Sequence, residues 1–262
     1  MSPHKSTSNL LQTCKYITLT ILITTLIGCG FSYITPGRGA DLSAFGLTNE
    51  LRESLTDTSI QRALDKKPLA TFPVTLAIVR VQDSGYYSYN VRSHGQGKYS
   101  VVTQRDLETD EDFAALRALP QVKSVVGINR LLLPSNLTSD KELRAAAAAV
   151  HADMMLIYTV DTTFKTEETL EPLGFVTLGL FPNQTARVNS TTSAILIDTR
   201  NGYTYAAAQA SAKHDALTNA WSNKSTVDRS RRKTERESFE KLLQNFIQTW
   251  PNLVQAYSVA AK

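Results

Sequence analysis

Cysteine is nearly absent: the 262-residue chain has two, Cys14 and Cys29, and none after position 29. A disulfide framework and a cysteine-ligated zinc site are thereby excluded downstream. The fold has to rest on its hydrophobic core, which a chain of this length can supply. Histidine is scarce too. His94, His151 and His214 stand far apart and outside any HExxH frame, so the sequence predicts no metal site and no cofactor. There is no G-x-S-x-G elbow, no P-loop and no G-x-G-x-x-G, since Gly95 and Gly97 lack a third glycine. No catalytic residue is assigned. A hydrolytic triad assembled in space stays open, because triads have no fixed chain order; its mark would be a polar pocket where His151 or His214 meets a carboxylate. Charge excess is also small. The formal +4 falls to +2 without Lys5 and Lys15, too little to point to a nucleic-acid partner.

What is present begins near the N-terminus. Lys5 and Lys15 precede the uncharged run YITLTILITTLI, which leads into Leu26, Ile27, Gly28 and Cys29. A basic start, a short apolar stretch and a small residue before a cleavage point form an export signal. The apolar run of about a dozen residues is short for a spanning helix, which needs roughly 20. With a cysteine at the cleavage point, the segment matches a bacterial lipoprotein signal: residues 1–28 are removed and Cys29 carries the lipid. An uncleaved anchor, or a secretory peptide cut nearby, is the alternative. Two or more acyl chains hold durably where one holds marginally, so lipid on Cys29 makes a permanent anchor. Gly30 stands where an aspartate commonly retains bacterial lipoproteins in the inner membrane, so the expected location is the periplasmic face of the outer membrane.

Residues 29–49 mix Pro36, Gly37 and Gly39 with polar residues and read as a flexible lipidated tether. Residues 50–262 read as one globular domain. A short helix is expected within 57–67 through Ile60, Ala63 and Leu64, then strands at 72–81, at the alternating Tyr87, Tyr89 and Val91, and at 99–103. A helix over about 109–119 has Asp110, Glu111 and Asp112 in its first turn and ends at Pro120. One or two strands follow within 122–133. Ser139 and Glu142 form a capping-box signature before a helix to about 150, which runs almost directly into MMLIYTV at 154–160, a strand with both faces covered. Asn201-Gly202 is a hairpin signal between strands at 188–199 and 203–212. The C-terminal helix carries Phe239, Leu242, Leu243, Phe246 and Trp250 on one face and is expected to end at Pro251. Upstream, pairs four apart, Arg231/Glu235 among them, are expected along its surface. The basic cluster at 229–236 reads as a solvated face or as a contact for anionic lipid. The fold class is α+β, a layered body of mixed sheet and packed helices with a long amphipathic C-terminal helix.

Residues 173–181, LGFVTLGLF, are apolar, uncharged and bracketed by Pro172 and Pro182. Leu173, Phe175, Leu178, Leu180 and Phe181 form a partner-binding or membrane-touching surface if exposed, and a buried strand otherwise.

The opening strand VTLAIVRVQ, the strand and turn YSVVTQRDL, the helix into strand AAAAAVHADMMLIYTV and the closing hairpin AILIDTRNGYTYAAAQASA before a long helix resemble the curli-secretion (CsgG-like) lipoproteins. The synthase-activator lipoproteins and the N-terminal domain of the Tol-Pal translocation protein share the resemblance, which spans roughly 72–248. It implies a mixed sheet with packed helices that acts through an envelope protein partner in assembly or export rather than by catalysis. A channel subunit is the alternative and an envelope hydrolase the second. The curli channel draws two membrane hairpins from each subunit, and this chain shows no clearly spare second hairpin.

Overall fold

A computed structural model describes residues 38–45, 56–88, 91–168, 184–218 and 223–258. Helix α1 (Asp57–Asp65) precedes β1 (Val74–Gln82). Next come β2 (Ser93–His94), β3 (Gln96–Gly97), β4 (Ser100–Val102), α2 (Asp110–Arg117), β5 (Val122–Gly127), β6 (Asn136–Leu137) and α3 (Asp140–Ala149). Three 15-residue strands, β7 (Met154–Glu168), β8 (Gln184–Asp198) and β9 (Thr204–Thr218), lead to α4 (Asn223–Ser258). The α+β class stands: a mixed sheet carries the helices, with the long α4 across it.

All nine residues of β1 are buried, Thr75, Arg80 and Gln82 among them, so both faces of the strand are covered. It pairs in parallel with β5 on one side and β7 on the other. Past Ile78 the β5 side passes to β4, which pairs antiparallel with residues 80–82. Helix α2 crosses from β1 to β5 and buries Phe113 and Leu116 on the sheet face bearing Leu76 and Ile78. Helix α3 crosses from β5 to β7 and buries Leu143, Ala146 and Ala147 on the face bearing Ala77, Val79 and Val81. The meander β7–β8–β9 completes the sheet, and α4 lies on the same face as α2.

Local chemistry sets the helix starts. Thr56 with Ser59, Thr109 with Asp112, and Ser139 with Glu142 each form a reciprocal capping box, which satisfies amides that would otherwise lack partners. The β8–β9 turn uses positive φ only at Gly202 (69°). Asn201 contributes its side chain instead, accepting from the Tyr203 amide and donating to the Lys67 carbonyl.

Several expectations change. The alternation at Tyr87 and Val91 makes no strand over 86–88, because Asp83 turns the chain by accepting from the amides of Gly85 and Tyr86. That turn buries Tyr86 and leaves Tyr87 exposed. Of the one or two strands expected within 122–133 there is one, followed by a 3-10 turn at Arg130–Leu132. Ile60 and Leu64 of α1 point outward, and Ser59 is the buried residue. Helix α4 passes through Pro251 to Ser258. Proline removes one helix hydrogen bond, but Leu253, Val254 and Tyr257 pack on the core beyond it, with Tyr257 edge-on to Tyr205 at 4.9 Å.

Over residues 38–45 the stretch read as a tether is docked on the sheet. The β1–β7 pairing stops at Val79 and Ile157, and in the gap beyond it Gly39 bridges Gln82 antiparallel. The Ala40 amide donates to Thr159 Oγ1 (2.7 Å), whose hydroxyl donates to Gln82 Oε1 (2.9 Å). Phe45, 1% exposed, then meets Tyr99 edge-on at 4.9 Å. A Cβ on Gly39 would lie 3.0 Å from Thr159 Oγ1, which its bonds to Ala40 and Gln82 hold in place, so a side chain here crowds the strap. Gly39→Val is expected to cost about 1–3 kcal/mol, the range for overpacking, in chemical unfolding. A cost near zero would mean the strap does not pack here.

Candidate functional site

Helix α4 carries two kinds of contact along one face. Its C-terminal half buries Phe239, Leu242, Leu243, Phe246 and Trp250 on the apolar core. The same stripe continues upstream as Glu235, Arg231 and Asp228, and it stays buried: the side chains of Arg231 and Glu235 are each 2% exposed. The pair expected along the surface is therefore an internal one.

Its partners come from the sheet. Arg231 donates to Glu235 Oε2 (2.8 Å) and to Asp228 Oδ1 (2.9 Å). Thr162 donates to Glu235 Oε1 (3.0 Å) and sits 2.9 Å from Ser190 Oγ, which must then be the donor of that pair. Thr192 and Ser238 bond at 2.7 Å. On the neighbouring strand Arg80, 1% exposed, donates to Asp106 Oδ1 (2.7 Å) and to the Tyr86 hydroxyl (3.3 Å). Burial disfavours its charge, but Asp106 together with Tyr86, Tyr158 and Glu235 outweighs this and holds the guanidinium above its ordinary value. Buried Tyr158 donates to Glu108 Oε1 (2.5 Å); burial and that carboxylate both push its hydroxyl well above the usual tyrosine value. This polar seam holds helix to sheet.

Asp112 ties α2 to the seam's edge. Burial raises its carboxyl, but hydrogen bonds from Arg236, one at 3.0 Å, and from the Thr109 amide outweigh that and hold it below the ordinary range. A depressed folded-state value adds stability that is full above the unfolded aspartate's titration, near 4, and is lost as pH falls through the folded value. Asp112→Asn should cost about 1–2 kcal/mol at neutral pH and less at pH 2 to 3; parallel curves of stability against pH would disprove the assignment.

Surface clefts accompany the seam, and two of them are lined by several charged groups. The first, about 490 Å³, opens where β1 passes from β5 to β4. Arg80, Arg105, Glu108, Phe113, Arg117 and Asn129 line it. Arg105 lies over the Phe113 ring at 5.0 Å and pairs with exposed Asp110. Arg80 Nε and Glu108 Oε2 are buried without a protein partner. The lining has no histidine, cysteine, serine or lysine; Thr103 is its hydroxyl and Glu108 and Asp110 are its carboxylates. The second cleft, about 600 Å³, brings His151 and Asp153 together with Lys141, Arg144 and Arg200. Asp153 is already engaged: Oδ2 accepts from the Thr75 amide (2.9 Å) and Oδ1 from Arg200 (2.8 Å). His94 sits 3.3 Å from the Leu133 carbonyl, and His214 is half-buried on β9 across from Val188. Among the described residues no group of histidine, cysteine and carboxylate side chains could hold a metal ion.

Sheets of this kind usually receive ligands outside the carboxyl ends of adjacent parallel strands whose onward connections diverge. Here those strands are β1 and β7, and the crevice is filled by Gly39 and Ala40. Sequence reasoning missed this strap because Pro36, Gly37 and Gly39 read as linker; the signal for docking was Phe45, a large apolar residue in a polar stretch.

Leu26, Ile27, Gly28 and Cys29 lie outside the described residues, as do Leu173, Phe175, Leu178, Leu180 and Phe181. Among the described residues no helix is long and apolar enough to cross a membrane. No protein-family profile matches this sequence, and no curated protein does.

Proposed function

We propose that this chain is a lipid-anchored bacterial envelope protein that works through protein contacts in envelope assembly or export. The observation that carries this reading is the passage from a basic start through a short apolar run to Leu26, Ile27, Gly28 and Cys29. Lipid on Cys29 holds the domain at the periplasmic face of the outer membrane. The envelope partner engages the uncharged stretch with Leu173, Phe175, Leu178, Leu180 and Phe181, whose apolar side chains are of the kind that marks association sites where exposed. Non-catalytic action is supported by Arg231 and Glu235 of the seam, which are engaged in holding α4 to the sheet, and by Asp153, which is engaged away from His151.

The channel reading draws on β7, β8 and β9, each long enough to cross a bilayer. Beyond β1, however, the described ribbon has no apolar face to give to lipid. One face lies under α4 with Thr162, Ser190 and Thr192, and the other carries Asp161, Thr163, Thr191, Gln209 and Ser211. A membrane barrel needs an apolar outer band.

The test is the intact mass and native size of detergent-extracted protein beside Cys29→Ser. Added lipid mass, a chain starting at Cys29 and a monomer or small oligomer are expected. A large ring would favour the channel, and an unmodified Cys29 would overturn the anchored reading.

A further inference from the structure

The strap enters the sheet from one direction. Gly39 bridges Gln82 antiparallel, and the Asp83 amide donates to the Arg38 carbonyl, so the N-terminal end of the strap, at Arg38, lies at the carboxyl end of β1. Strand β7 runs parallel to β1 and continues past this point from Asp161 to Glu168, with β8 and β9 paired beside it to the end. At about 3.3 Å per residue those seven residues rise roughly 23 Å. The nine residues from Cys29 to Arg38 span at most about 30 Å fully extended.

The tether is therefore long enough to reach the ribbon end, and exposed cations lie beside that ribbon. Residue numbers along α4 fall toward the ribbon end, since Ser238 meets Thr192 and Glu235 meets Thr162. This brings exposed Arg229, Arg232 and Lys233 beside the outer ribbon, along with exposed Lys213 on β9. Cations at such a position are drawn to anionic lipid headgroups.

We propose that the docked strap fixes the orientation of the anchored domain, so that the distal end of the β7–β8–β9 ribbon and the basic start of α4 rest on the headgroups of the membrane that holds Cys29. This rests on the lipid-anchored reading and adds to it the face that meets the bilayer. The ribbon contacts the surface without entering it, because its described faces are polar or covered. Release of the strap would free the domain to tumble on a longer leash.

The test exploits the lack of other cysteines. In the full-length lipidated protein on vesicles of phosphatidylcholine with a minority of phosphatidylglycerol, Lys213→Cys at the ribbon and Lys123→Cys at the opposite end of the sheet each carry a spin label. Collision with a headgroup-bound relaxing agent is then measured. Several-fold greater accessibility at 213 than at 123 is expected, with a smaller contrast on phosphatidylcholine alone. Gly39→Val should erase the contrast. So should a flexible spacer of roughly 20 residues inserted before Arg38, which leaves the strap and fold untouched. Equal accessibility at both sites on protein whose mass shows lipid at Cys29 would overturn the orientation and leave the anchor standing. Absence of lipid mass would overturn both.

Discussion

Glu235→Ala should lower the unfolding free energy by about 3–5 kcal/mol in chemical denaturation, the range for removing one partner of a buried ion pair. The size follows from what stays behind. Arg231 keeps its charge, it is 2% exposed, and it loses its equally buried partner while Asp228, 19% exposed, stays beside it. Thr162 and Ser190 also lose the acceptor at the end of their hydrogen-bonded chain. Intact, the pair adds far less than its removal costs, because both charges were stripped of water to form it. Replacing Arg231 and Glu235 together with methionine and leucine should therefore recover most of the loss. The effect should also persist at high salt, where exposed pairs such as Lys241 with Glu237 are screened. A single-variant cost under about 1 kcal/mol would place the pair in the surface class and sink the account of the seam.

The missed seam shows what sequence patterns carry. Spacings of three and four placed Phe239, Leu242, Leu243, Phe246 and Trp250 on one face, and all five are buried. Extending the same spacing upstream reaches Glu235 and Arg231. Their charge redirected the reading to the solvent side, because hydrophobic periodicity registers burial only where burial is apolar. Arg80 inside an otherwise apolar strand was hidden for the same reason. The Ser139–Glu142 capping box was legible because its partners lie three positions apart, and MMLIYTV because both its faces are apolar. Features made by distant chain segments were not legible. The Gly39 bridge to Gln82 and the Ala40 bond to Thr159, 119 positions away, leave no local periodic trace.

Asp198→Ala should be similarly costly, about 3–5 kcal/mol, the combined effect of several unmet donors to one charged acceptor. The residue is fully buried at the end of β8. Its Oδ2 accepts from the Leu69 amide (2.8 Å), the Ala70 amide (2.7 Å) and the Tyr205 hydroxyl (2.7 Å), and Oδ1 accepts from the Arg200 amide (2.8 Å). One carboxylate thus fastens the segment after α1, the hairpin turn and the start of β9. Asn keeps the shape but turns an NH2 group toward donors, so Asp198→Asn should fall between alanine and wild type. The location of the damage separates this from general loosening. Amide exchange at Leu69 and Ala70 should accelerate well before that of buried β1, whose pairing with β5 and β7 does not involve Asp198. Unchanged protection at Leu69 and Ala70 in the alanine variant would show that the segment is held by other contacts, among them Asn201 on the Lys67 carbonyl.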